Sequence, residues 1–477
     1  MMQKLKPYPT YKDSGVEWLG EVPEHWSFRR GKTLFRKMQR PTSDDHEVVT
    51  CFRDGMVTLR KNRRVSGFTE ALKELGYQGI LRGDLVIHAM DAFAGAIGVS
   101  DSDGKGSPVY SVCMPQEGSN SKYYAYLIRE MARSQWILAL AKGIRERSTD
   151  FRFEAFGSQL LPLPEFPEQS AIVRYLDYMD RRIQRYIRAK QKLITLLEEQ
   201  KQAIIHQAVT GRIDVRTGKP YPAYKPSGVE WLGDVPEHWA VRRLRHLIKG
   251  RLTYGANAAA EFSNSDWPRY IRITDFRIDG SLKPDTFRSL PPAIASDYIV
   301  DPGDILLARS GATVGKAFLV HRLTGTACHA GYLIRARPDR SLVLPEYLFA
   351  FSQSKAYSAW KDSTFNTATI QNIGADKYAN LTIPLPSLDE QQVILNTLAR
   401  EQGPLLVAFS RLERDSSLLR EYRTRLVSDV VTGKLDVREA AEHLPDDLEE
   451  LGLSMDEDNE LADEQMEEEE GCLEVEE

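Results

Sequence analysis

A chain of 477 residues, 42% hydrophobic and 27% charged, can build two or three domains with their own cores and has the balance of an ordinary soluble globular protein. The formal net charge of −5 conceals an asymmetry: from Glu439 onward there are 19 Asp/Glu and no Lys/Arg, so residues 1–438 set 63 basic against 49 acidic side chains, a formal +14. No apolar run approaches the roughly 20 residues of a membrane span. The start, MMQKLKPYPTYK, has no apolar signal core, so secretion is not expected. Cys51, Cys113, Cys328 and Cys472 show no C-x-x-C spacing, which argues against a zinc site or a disulfide framework and for a reducing cytoplasm. A basic body with an acidic tail points to a polyanionic partner.

In chain order, the first notable stretch is PYPTYKDSGVEWLGEVPEHW at Pro7–Trp26, which returns as PYPAYKPSGVEWLGDVPEHW at Pro220–Trp239 with only three of twenty positions changed. Between them, GDLVIHA (83–89) reads as a short apolar strand opened by a turn, and 121–143 has helical spacing. LPLPEFPEQSAIVRYL (161–176) leads into a helical module that closes on VTGRIDVR (209–216). The second half repeats the plan. RYIRITDFRIDGSL (269–282) alternates as a strand and ends in an Asp-Gly turn, GDILLAR (303–309) is a strand, and 344–362 is helical. IPLPSLDEQQVILNTL (383–398) and VTGKLDVR (431–438) then return at an offset of 222. The halves share frames and differ in their fillings, each an α+β segment.

Within the modules, Pro167 suits a first helical turn, and Ser387 with Glu390 has the spacing of a capping box. Gly403-Pro404 predicts a break, so each module is expected as a short helix followed by a longer one, about 45 Å long for the ~30 residues from Asp180 to Val209. Ile187, Lys190, Ile194, Leu197, Lys201, Ile204 and Ala208 repeat at steps of three and four. Phe409, Leu412, Ser416, Leu419, Arg423, Leu426 and Val430 match them. Five of seven are apolar in each set, the seam of an antiparallel intramolecular coiled coil. Gly211 and Gly433 are placed to stop both helices. The acidic stretch from 439 reads as a disordered tail.

One stretch imitates a nucleotide site. SGATVGKAF resembles a phosphate-binding loop, but only three residues separate Gly311 from Gly315, and Ala317 stands where a hydroxyl would hold Mg2+. Neither a base-methylation tetrapeptide nor a nuclease carboxylate cluster is evident. His25, His238 and the tryptophans Trp18, Trp26, Trp231 and Trp239 lie in the duplicated motif and are read as packing or docking residues.

Together these features resemble the specificity (S) subunit, HsdS, of Type I restriction–modification enzymes, over nearly all of residues 7–438. SGVEWLGEVPEHW, the PLP…EQ segments at Pro162–Gln169 and Pro384–Gln391, AVTGRIDVR and VVTGKLDVR, and the two stretches 83–100 and 303–320 carry the resemblance. It implies an α+β fold with two globular target-recognition domains separated by a long antiparallel intramolecular coiled coil, in a pseudo-twofold internal repeat. The expected division is 1–160, first target-recognition domain with its lead-in motif; 161–219, central helical region; 220–382, second lead-in motif and target-recognition domain; 383–438, C-terminal helical region; 439–477, tail. It also implies a non-catalytic, cytoplasmic phage-defence component. Each domain would read one half of a bipartite double-stranded DNA site, with the helices setting the spacing. Two modification (HsdM-type) subunits and restriction (HsdR-type) subunits would be partners, with S-adenosylmethionine, ATP and Mg2+ held on those subunits and no cofactor or metal in this chain. A self-contained DNA methyltransferase and a scaffold without a DNA role are the competing readings.

DNA contacts need side chains that reach phosphates or base edges. In the first domain the candidates are Arg60, Lys61, Arg63 and Arg64 in LRKNRR, His88 in GDLVIHA, and Lys142, Arg145 and Arg147 in KGIRERSTD. In the second they are Arg309, Ser310, Thr313 and Lys316 in the glycine loop, and Asn366, Thr367, Thr369, Gln371 and Asn372 in FNTATIQN. That last segment lies 222 residues beyond the first domain's basic one. Arginine suits guanine O6 and N7, whereas Asn and Gln suit adenine.

Overall fold

Leu85–His88 and Ile305–Ala308 form strands because each begins with a run of apolar side chains, opened by a Gly-Asp turn, that can be buried on both faces, Leu85–Ile87 before His88 in the first and all four residues in the second. In the computed structural model, which describes residues 5–43, 45–63, 75–140, 150–277, 281–311, 313–365 and 372–445, each is an inner strand of a four-stranded antiparallel sheet. The chain divides into two units, Met1–Arg188 with the chain from Ser416, and Ala189–Asp415.

In the first unit the sheet order is Phe35–Lys37, Tyr110–Pro115, Leu85–His88, Ile97–Val99. Alternation divides the inner strand: Leu85 and Ile87 enter the core beneath the helices, while Val86 enters a smaller core with Val49, Cys51, Val57 and Ile80. The second unit repeats the order with Thr253–Tyr254, Leu333–Ala336, Ile305–Ala308 and Ala317–Leu319. Ile305 and Leu307 there face one core, Leu306 and Ala308 another. Beside each sheet the PLP segment is a strand paired with the residues that follow the lead-in motif, Leu160–Leu163 with Ser27–Arg30 and Thr382–Leu385 with Ala240–Arg243.

The modules are single helices of 44 residues each, Phe166–Val209 and Leu388–Val431. The predicted break at Gly403-Pro404 does not occur. Gly403 has no Cβ to meet the proline ring, and the Arg400 carbonyl that loses its donor belongs to an exposed turn open to water. Only half of the predicted capping box forms: the Glu390 amide donates to Ser387 Oγ at 3.3 Å, while the Glu390 carboxylate is drawn to Tyr221.

Helix pairing is antiparallel in both units. In the first, Ile183 and Ile187 share a core with Leu426 and Val430, and Arg423 pairs with Asp180. In the second, Lys190 pairs with Asp415 at 2.7 Å and Lys201 lies over the Phe409 ring, so one index climbs as the other falls.

Three other expectations are revised. Among its described residues the stretch 269–282 is a strand over Arg269–Ile271, after which Asp275 turns back to accept the Arg272 amide and guanidinium and forces a helical turn; the predicted Asp-Gly turn lies outside the described residues. The helix expected over 121–143 ends at Arg133 and restarts at Trp136, with Gln135 at a left-handed φ of 62° between. The acidic stretch begins folded: Arg438–Glu442 is a helix whose Ala440 and Ala441 are buried in the first unit's core. Residues 446–477 lie outside the described residues.

The recurring PLP…EQ motif has a mechanical explanation. Glu168 is buried and accepts from Tyr8 Oη at 2.7 Å and Trp26 Nε1 at 3.0 Å, with His25 Nε2 at 2.8 Å. Glu390 accepts from Tyr221 Oη at 2.7 Å and meets His238 at 3.1 Å. Burial, then the neighbouring carboxylate and its hydrogen bond, push both tyrosine hydroxyls up. The adjacent glutamines lock the chain on either side. Gln169 accepts from the Asn120 amide and donates to the Gly118 and Pro164 carbonyls, and Gln391 does the same with Leu344, Leu342 and Pro386. The frames repeat because each bolts a lead-in motif to a helix start. One difference remains: among the described residues the buried Trp239 indole N–H has no hydrogen-bond partner.

Candidate nucleic-acid interface

Four strand ends meet at one edge of the second unit's sheet. Tyr254 ends its strand, Tyr332 precedes the strand Leu333–Ala336, Arg309 follows Ile305–Ala308, and Lys316 precedes Ala317–Leu319. Backbone bonds continue the ladder there, from the Arg309 amide to the Tyr332 carbonyl at 3.0 Å and from the Ala308 amide to the Lys316 carbonyl at 2.8 Å. Two buried tyrosines fix the glycine loop from beneath: Tyr378 Oη donates to the Ala308 carbonyl at 2.7 Å and Tyr357 Oη to the Gly315 carbonyl at 2.8 Å. Gly311 and Gly315 both lie at positive φ, which the reversal demands.

The chain returning toward the PLP strand closes on this loop. The Ile373 amide donates to the Arg309 carbonyl at 2.8 Å, Ser310 bridges to Asn372, and the Ala375 amide donates to Tyr254 Oη at 3.0 Å. The result is a rigid edge that presents exposed Tyr254, Tyr332, Lys316 and Asn372 around a half-buried arginine. The Arg309 guanidinium lies over the Tyr254 ring at 5.0 Å, with its Nε buried and, among the described residues, without a hydrogen-bond partner. Beside it, an open cleft is lined by Arg245, His246 and Arg251.

The first unit builds the same backbone with other side chains. The Ala89 amide donates to the Val109 carbonyl, the His88 amide to Ala96, and the Phe151 amide to the Ala89 carbonyl. Ala89 and Val109 thus occupy the places of Arg309 and Tyr332. His88 Nδ1 accepts from the Asp91 amide at 3.1 Å, and burial lowers its pKa, with Asp91 partly opposing. Arg53 pairs with Asp91 at 3.2 Å.

The sequence-derived candidates divide accordingly. Arg309, Ser310, Thr313, Lys316 and Asn372 belong to the one edge in the second unit. In the first unit Arg60 Nε donates to Thr50, Lys61 pairs with Glu47 at 2.6 Å, and Arg63 pairs with Asp54 at 2.7 Å while covering the Phe52 ring. The Arg63 side chain is only 12% exposed, so it braces the turn that carries Arg53 and Asp54. Arg64, Lys142, Arg145, Arg147, Asn366, Thr367, Thr369 and Gln371 lie outside the described residues. Sequence reasoning missed Tyr254 and Tyr332, because neither is near the glycine loop in sequence; the alternation around each strand was the available signal. The glycine loop leads into the strand Ala317–Leu319, not a helix, so it offers no helix N-terminus to a nucleotide phosphate.

Residues 236–400, most of the second unit, match the family model of the Type I restriction modification DNA specificity domain. The resemblance read from the motifs is therefore supported by an independent comparison. Over 210 residues the chain is 27% identical to the Type I restriction enzyme StySPI specificity subunit of Salmonella potsdam and 25% identical to the EcoKI specificity subunit of Escherichia coli strain K12. Those matches cover 43% of this chain and span 44%, less than half, of the length of each relative. Among solved structures, one described under the structural basis of complex assembly and conformational transition of the type I R-M system superposes with a TM-score of 0.64 at 18% identity, covering 87% of this chain and 99% of that one. The architecture is the one that structure shares. Among the described residues no helix is long and apolar enough to cross a membrane.

Proposed function

We propose that this chain is the sequence-reading subunit of a Type I restriction–modification assembly, binding double-stranded DNA with each unit taking one half of a bipartite site. The observation that carries the reading is the pair of sheet edges: identical backbone hydrogen bonds hold Ala89 and Val109 in one unit and Arg309 and Tyr332 in the other. A frame preserved while the side chains it carries diverge, from buried Ala89 and half-buried Val109 to half-buried Arg309 and exposed Tyr332, is what two readers of different sequences require. The formal +14 of residues 1–438 supplies the sequence-independent attraction to phosphates.

On this reading the chain does no chemistry of its own. Modification subunits supply methyl transfer from S-adenosylmethionine, and restriction subunits supply ATP- and Mg2+-dependent work. The long helices offer them a surface, since Leu193, Leu196, Leu406 and Val407 are exposed on the parts belonging to the second unit. The test is genome-wide adenine methylation in cells carrying this chain with its modification partner, compared with the partner alone. A new motif of two short half-sites around an unspecified gap is expected, and exchanging residues 27–160 for those of another such chain should change one half-site only. A continuous motif, or none from a soluble complex, would reject the reading.

A further inference from the structure

We propose that Arg309, held against Tyr254, reads a guanine in the half-site taken by the second unit; this deepens the DNA-reading function and rests on it. Among the candidates, Arg60, Lys61 and Arg63 have their charged ends engaged by Thr50, Glu47 and Asp54. Arg309 is held differently. Its guanidinium is positioned by the Tyr254 ring, and among the described residues its covered Nε has no hydrogen-bond partner and no acidic side chain is paired with it. Tyr254 is itself anchored through the Ala375 amide on its hydroxyl, so the stacking surface is fixed before any ligand arrives.

The chemistry of the group narrows its partner. A guanidinium has donors and no acceptor, in a planar fork, so it selects an edge with two adjacent acceptors. In the major groove guanine O6 and N7 form such an edge, whereas adenine and cytosine each place a donor there. A phosphate could also accept, but exposed Lys316 on the same edge suits that task as a compact charge. With Nε covered, the Nη side of the guanidinium is the side left for an acceptor pair, and the contact with Tyr254 reduces the side-chain ordering that binding must still impose. Exposed Tyr332, whose carbonyl holds the Arg309 amide, adds a second aromatic surface beside it.

The first unit supplies the control. At the equivalent place it has Ala89, which keeps both backbone bonds, from its amide to Val109 and to its carbonyl from Phe151. Arg309→Ala is therefore a side chain this frame already accommodates, and the variant is expected to fold and assemble. With the modification partner, its methylation motif should keep the first half-site and the gap unchanged. One G·C position in the second half-site should become degenerate, with discrimination there falling about ten- to hundred-fold. Tyr254→Leu, which removes the stack and keeps the arginine, should weaken discrimination at that same position. An Arg309→Ala motif identical to wild type, or a uniform loss across all sites, would overturn the assignment. As a second measurement, the wild-type complex is bound to duplexes carrying 7-deazaguanine, which lacks N7, at each guanine of the second half-site in turn. One sensitive position is expected, and none would refute the proposal. Failure of the underlying function looks different: the wild-type chain would direct no bipartite motif at all.

Discussion

His88 shows how one side chain in the repeated frame acquires a consequence of its own. Its Nδ1 accepts a backbone amide, an arrangement open only to the neutral ring, and burial lowers its pKa below the ordinary histidine value of about 6.5 against the partial opposition of Asp91. His206, in the second unit, is lowered in the same direction by burial and then by Arg212 and Lys355, and its buried Nδ1 has no partner among the described residues. For a group whose folded pKa is depressed, the unfolded chain binds the extra proton first. The stabilisation is then complete above about pH 6.5 and is lost as pH falls toward the folded pKa. Each such histidine can cost at most about 1.4 kcal/mol per pH unit within that window. Thermal unfolding followed between pH 7.5 and 5.5 should show a falling midpoint, and His88→Asn should flatten the part of the fall that belongs to the first unit. An unchanged slope in that variant would mean that His88 titrates normally.

At the scale of elements, the two helix ends are held by the same interlock. Gly211 sits at φ 72° with a Cβ position 2.4 Å from Pro236 and 3.2 Å from Trp239; Gly433 sits at φ 80° with the corresponding atoms of Pro23 and Trp26 at 2.4 and 2.8 Å. Each lead-in motif therefore packs against the end of a helix, and alanine would meet both a left-handed backbone and a proline ring. The backbone alone costs about 1–2 kcal/mol, and the clash adds to it. Gly211→Ala is expected to lower the unfolding midpoint of the second unit and Gly433→Ala that of the first, which hydrogen exchange resolved by peptide can separate. These glycines were legible as helix stops because they follow a 3–4 apolar repeat. What the repeat could not show is which lead-in motif meets which helix end, since that choice joins Trp26 to Gly433 across most of the chain. The continuous helix through Pro404 was also hidden: local propensity predicts a break, and the exposure of that turn, together with the missing Cβ of Gly403, explains why none occurs. The candidate edge was half legible. Gly311 and Gly315 marked the loop, but Tyr254 and Tyr332 reach it through strand pairing, and a one-dimensional motif does not carry register.

At the scale of the whole molecule, charge is distributed so that one end of the sequence opposes the rest. Residues 446–477 hold 17 Asp/Glu and no Lys/Arg, so removing them turns the formal charge from −5 to +12. The chain enters that stretch from the first unit, where Arg174 donates to the Leu444 carbonyl at 2.9 Å just beyond the helix Arg438–Glu442. Because Ala440 and Ala441 are part of the core, the shortened chain must keep residues through Pro445 for the comparison to be fair. Long-range attraction to a duplex depends on net charge and is screened within ~10 Å at 0.1 M salt, so the acidic stretch should weaken non-specific binding most at low ionic strength. Full-length and shortened chains titrated with a duplex lacking any recognised site should therefore differ clearly near ~50 mM salt, the shortened chain binding more tightly. The two should converge by ~200 mM as counterion release dominates both. Equal affinity at low salt would show that the acidic stretch is too remote from the DNA-facing surfaces to be felt. A difference that persists at high salt would instead indicate a specific contact between that stretch and the body of the protein.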